Sequence, residues 1–149
     1  MNASALLAGP DAQAILNPVL AMLLLAFIVW IALFATRFKA IAATGLKAED
    51  LSTPEDVQKQ LPRYALNPAY NFKNLFEVPV LFVTLCFYLY LTGTADSTHI
   101  TCAWIFVGFR YLHSAVQCSY NNVNHRFLIY LVSSIALWVM LARAILAAI

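Results

Sequence analysis

The chain has 149 residues, of which 62% are hydrophobic and only 11% charged, with a formal net charge of +2. A soluble domain usually carries about 25% charged residues, so this composition points to an integral membrane protein, read as one domain over residues 1–149. The small net charge excludes a nucleic-acid partner, and no basic block, short apolar run and small-residue site occur in the order that marks a cleavable signal peptide.

Four apolar segments are expected to be helices, at about 14–39, 68–92, 98–119 and 125–147. The first has no charge between Ala12 and Thr36, with Asn17 as a plausible cap and Pro18 in the first turn. Asn67-Pro68 reads as the start of the second, and Gly93 as its stop. Pro79 falls inside it and predicts a kink, because proline removes the hydrogen bond to the Leu75 carbonyl. Asn124 is available to cap the fourth segment.

The polar stretch at about 44–67 joins the first two segments, and Ser52-Thr53-Pro54-Glu55 within it suits a short capped helix. Arg37, Lys39, Lys47, Lys59, Arg63 and Lys73 surround or fill this loop, whereas the connection from Thr92 to His99 has no lysine or arginine. The positive-inside rule therefore places the first loop in the cytoplasm and both termini outside. Cys86, Cys102 and Cys118 show no CxxC spacing and read as free thiols, so no metal site is expected.

The chemistry lies in polar side chains within the apolar segments. A charge at the centre of a membrane helix costs about 2.5–3.5 kcal/mol on insertion scales, so such residues face protein or a water-filled cavity. Lys73, Asn74 and Glu77 share one face of the second segment, and Arg110, His113 and Gln117 form a matching stripe on the third. Arg37 closes the first segment on the same side of the membrane, and Arg126 opens the fourth, with Tyr130 one turn further on the same face. A buried Glu77–Arg110 pair alone would fix helix register. The larger cluster has four cations, Arg37, Lys73, Arg110 and Arg126, against Glu77, and that imbalance calls for an anionic ligand.

The four segments, Asn74-x-x-Glu77, Arg110-x-x-His113 and Arg126 resemble the MAPEG family, membrane-associated proteins in eicosanoid and glutathione metabolism. The likeness is to bacterial members akin to microsomal glutathione transferase and prostaglandin E synthase, which implies a bacterial inner membrane. It implies an all-α, left-handed bundle of four transmembrane helices, assembled as a homotrimer. It further implies glutathione as co-substrate, held by Arg37, Lys73, Asn74, Glu77, Arg110, His113, Gln117 and Tyr130, with Arg126 stabilising its thiolate. A lipophilic small molecule, either an electrophile or a lipid hydroperoxide, would be the second substrate, reached from the membrane lipids. The sequence departs from the family pattern at Lys73, usually arginine, at Gln117, commonly tyrosine, and at Phe127, often a small hydroxyl residue.

Two rivals fit parts of the pattern. One is a non-catalytic membrane subunit that binds an anionic lipid headgroup in the same pocket. The other is a small proton-coupled exporter with Glu77 as carrier, which the long first loop and the Arg110–His113 pair fit poorly.

Overall fold

The computed structural model describes residues 13–149, where helices α1–α6 and one 3-10 turn occur without any strand. The first twelve residues, which carry the expected outer N-terminus, lie outside the described residues.

Helix α1 spans Leu16–Thr44, 29 residues, or about 44 Å, more than a bilayer core requires. Asn17 does not cap it: Ile15 occupies the cap position and no side chain bonds to the free amides. The helix also runs past the expected end near residue 39. Ala40, Ala42 and Ala43 are strong helix formers, and Ala40 is buried against the next helices. Gly45 ends it at φ 69°, a backbone region open to glycine, with its N–H on the Ile41 carbonyl at 2.9 Å.

The polar loop is structured. A 3-10 turn covers Ala48–Leu51, and α2 covers Pro54–Gln60. Thr53 caps α2 by accepting the Asp56 N–H at 3.2 Å, with Pro54 following where its missing N–H costs nothing. Leu51 and Val57 pack the loop onto a small apolar cluster of Ala40, Leu61, Ala65 and Leu66.

Helix α3 spans Arg63–Leu75, so the expected start at Asn67-Pro68 is corrected. Pro62, extended at ψ 155°, sets the cap, and Pro68 sits inside the helix at the loss of one bond to the Tyr64 carbonyl. The expected kink at Pro79 is a full break. The α3 ladder ends at Leu75, Phe76 and Glu77 leave it, and α4 begins anew over Val78–Thr92. Proline, lacking an N–H and needing room for its ring, is tolerated at the second position of this new helix. Gly93, at φ 67°, closes α4.

Helix α5 spans Ser97–Cys118 and α6 spans Val123–Ala148. Asn122, rather than the expected Asn124, caps α6 by accepting the Asn124 and His125 N–H groups at 3.0 and 3.2 Å. Three spans are long and apolar enough to cross a membrane: α1, α3 with α4 over Arg63–Thr92, and α6. The 22 residues of α5 reach about 33 Å, also enough to cross, but Arg110, His113, Ser114 and Gln117 make its buried face polar.

The bundle core is apolar in its other half. Phe82 of α4 stacks on Phe106 of α5 with centroids 4.3 Å apart, between Leu25 and Val29 of α1 and Leu137 and Met140 of α6. Tyr111 donates its hydroxyl proton to the Ala21 carbonyl at 2.8 Å, tying α5 to α1. Large apolar side chains also face outward, among them Leu20, Leu24, Phe27 and Trp30, as lipid or a neighbouring subunit demands. The chain is an all-α membrane protein.

At the far end of α5, Asp96 caps the helix through the His99 N–H at 2.8 Å and pairs with Arg143 of α6. The cap bond to His99, with help from Arg143, lowers the Asp96 pKa from 3.8 to about 2. A depressed carboxylate stabilises the fold above its unfolded pKa, and that contribution is lost as pH falls through the folded value. Asp96→Asn keeps a good cap but removes the charge, so it should melt lower than wild type at neutral pH. Melting curves in detergent should show this gap shrinking from about pH 4 towards pH 2. Because Asp96 is two-fifths exposed, solvent screening keeps the effect small.

Candidate functional site

Helix α3 presents Asn67, Asn71 and Asn74 at spacings of four and three, which puts three amides on one face. That face meets α5 and the turn after it. Asn74 donates to Gln117 Oε1 at 3.1 Å. Asn71, fully buried, accepts from the Ser114 hydroxyl at 3.2 Å and donates to the Cys118 sulfur at 3.4 Å. Asn67 accepts from Asn121 at 3.0 Å. Buried amides without partners would cost about 1–3 kcal/mol each, so this ladder fixes the register of α3 against α5.

Asn121 lies in the left-handed region at φ 51°, which asparagine enters more readily than other side chains. Its N–H closes the end of α5 on the Val116 carbonyl at 2.8 Å. Its side chain joins two helices, donating to Asn67 and accepting from Arg126 Nη1 at 2.5 Å. His113 Nδ1 lies 3.2 Å from the Arg126 carbonyl oxygen, so the first turn of α6 is held from both sides. His113 Nε2 lies 3.0 Å from Gln117 Oε1, which continues the network to Asn74.

Arg110 is the anomaly. It is 1% exposed, and its guanidinium lies between two rings, 5.2 Å from the Phe106 centroid and 4.7 Å from that of Tyr130. Its Nε and Nη2 are buried without a hydrogen-bond partner. Arg37 and Arg126 each bury an unpartnered Nε as well. Among the described residues the ion pairs gather at Asp96, which meets His99 and Arg143, and none reaches Arg37, Arg110 or Arg126.

Of the residues singled out from sequence, Asn74, Gln117, His113 and Arg126 are thus joined by hydrogen bonds, and Tyr130, beside His113 with ring centroids 6.1 Å apart, brings Arg110 to the same cluster. Lys73 and Glu77 are not part of it. Both are exposed, so the expected buried place of Glu77 is corrected for the single chain, and no ion pair joins it to Arg110. The break at Phe76 and Glu77 leaves this carboxylate outside the bundle. Arg37 is half-buried on α1 and bonds to none of the others. Asn71 and Ser114 were not singled out from sequence, and Asn67 was assigned to a cap. The signal was there: three asparagines at helical spacing inside a membrane segment are interhelical bonds waiting for partners.

Among the described residues no group of His, Cys, Asp and Glu can hold a metal, and all three cysteines are free thiols. A groove of about 490 Å³ between α4 and α6 is apolar and lies away from these groups, with Leu85, Leu137 and Trp138 among its walls. It offers surface for lipid or protein, not for the polar chemistry.

No curated protein and no solved structure matches the chain. The MAPEG family profile matches residues 15–146, nearly the whole sequence and every residue of the polar network, so the chain belongs to the MAPEG family.

Proposed function

We propose that the protein is a glutathione-dependent transferase or peroxidase of the membrane, acting on lipophilic electrophiles or lipid hydroperoxides. The observation that carries this reading is the set of buried arginine nitrogens without partners on Arg37, Arg110 and Arg126. Buried charge without a counter-charge is costly, and a small anion rich in acceptors removes that cost. The tripeptide has two carboxylates and a thiol that ionises. Arg110 and Arg37 would hold carboxylates. Asn74 and Gln117 would hold backbone amides.

Arg126 stands in the first turn of α6, where guanidinium charge and helix dipole both favour an anion. A thiol near pKa 8.5 is only a few per cent thiolate at neutral pH, and a nearby cation increases that fraction. His113 and Asn121 fix the Arg126 backbone and side chain, so they position the cation rather than react. Exposed Phe127, Leu128 and Leu131 flank Arg126 and Tyr130, which gives an apolar substrate a route from the bilayer.

The unpaired arginines and the exposed Glu77 and Lys73 together support a shared site in a homotrimer. A carboxylate facing lipid is expensive, whereas a neighbouring subunit with excess cations would welcome it. On this reading the loop with α2 is cytoplasmic and the membrane is a bacterial inner membrane, with the termini outside. Native mass spectrometry in mild detergent should give a trimer, with Glu77→Gln shifting the population towards monomer. A wild-type monomer under the same conditions would contradict the shared site.

Arg126→Ala should retain bound glutathione yet lose its thiolate absorbance near neutral pH, together with conjugation and peroxidase turnover. Arg126→Lys should fall between, since charge remains but the planar fork is lost. Equal thiolate signal and equal rates in wild type and Arg126→Ala would remove the catalytic assignment and favour a pocket for an anionic headgroup.

A further inference from the structure

A second cavity, of about 390 Å³, lies where the polar loop meets α3 and the turn after α5. Leu61 and Leu66 give it apolar surface, and Gln58, Arg63, Asn67, Tyr70 and Asn121 give it polar groups. No carboxylate lines it.

The hydrogen bonds define what it lacks. Arg126 has only protons to offer, so the side chain of Asn121 must present its oxygen to Nη1. The amide nitrogen of Asn121 then faces Asn67 and donates to its oxygen. Asn67 is left with its own NH2 pointing away from that bond. This group is within a side chain only 7% exposed that lines the cavity, and it donates to no other described residue. An NH2 fixed in this way is free to donate to an acceptor in the cavity. Arg63 stands on the same cavity at the first position of α3, with no ion-pair partner among the described residues. A cation and an oriented amide donor line one space, and each favours negative charge.

We propose that this cavity is a binding site for the phosphate of an anionic phospholipid headgroup, distinct from the network around Arg110. Depth and shape favour a lipid over a free ion. The cavity lies at the polar start of the Arg63–Thr92 span, the end that a bilayer would bring to its headgroups, and its leucines suit a glycerol and the first carbons of an acyl chain. Tyr70 and Gln58 supply hydroxyl and amide groups for headgroup oxygens. The headgroup completes the chain Arg126–Asn121–Asn67, so its presence steadies Arg126 from the membrane surface. The site stands on this geometry alone, whether or not the network around Arg110 takes glutathione.

The test uses the full chain in mild detergent with phosphatidylglycerol, read by native mass spectrometry. Asn67→Asp keeps the oxygen that Asn121 needs but replaces the NH2 with negative charge. Arg63→Gln removes an exposed cation without touching the core. Each should cut retained phosphatidylglycerol by about tenfold or more, the scale of one charge-assisted hydrogen bond. Lys39→Gln, an exposed cation away from the cavity, should retain it as wild type does. Equal retention in wild type, Arg63→Gln and Asn67→Asp would overturn the site. Displacement of the lipid by millimolar inorganic phosphate would show that the site takes free phosphate, and would overturn the lipid assignment.

Discussion

Everything in this fold answers to one constraint: α5 carries a polar face through an apolar bundle. Arg110, His113, Ser114 and Gln117 are all buried, and water cannot reach them from the bilayer. The hydrogen-bonding half of that demand is met inside the chain. Asn71 and Asn74 of α3 engage Ser114 and Gln117, and His113 bonds the backbone of α6. The electrical half is not met by an ion pair: among the described residues Arg110 meets two aromatic faces and no carboxylate within salt-bridge distance. Ring quadrupoles relieve part of the desolvation, on the order of 2 kcal/mol when buried, well short of a buried charge's full requirement. The fold is therefore complete as packing and incomplete as electrostatics.

That division explains the break between α3 and α4. A continuous helix would carry Glu77 on the asparagine face, three residues after Asn74, towards α5. Pro79 ends the ladder at Leu75 and leaves Glu77 exposed. One chain thus keeps Glu77 out of ion-pair contact with its buried arginines, an arrangement that fits the proposed site shared with a ligand and a neighbouring subunit. The apolar half, built on the Phe82–Phe106 stack, holds the helices in place around this buried polar half.

Much of this is legible in the sequence, for reasons of scale. Long apolar runs decide the helices, and ionisable residues within them stand out because insertion makes them expensive. Arg110, His113, Gln117 and Arg126 are found that way, and MAPEG membership follows from the same residues with Asn74 and Glu77. Local ends are less legible. Asn17, Asn67 and Asn124 all have the chemistry of caps, yet Ile15, Pro62 and Asn122 take those positions. An asparagine is equally suited to capping and to tertiary bonding, and only the packing partner decides. The same ambiguity hides the Asn67–Asn121–Arg126 chain, since Asn121 needs a left-handed backbone to face both neighbours. The exposure of Glu77 is hidden too, because the pattern of spacings assumes an unbroken helix.

The central claim is that the uncompensated arginines are completed by a tripeptide thiol drawn from the cytoplasm. Its most direct test is a calorimetric titration of glutathione into the purified wild-type protein, repeated with its S-methyl analogue. The account predicts saturable binding of both, with proton release for glutathione alone because only its thiol can ionise beside Arg126. Absence of binding heat, or equal proton release from the two compounds, would contradict it.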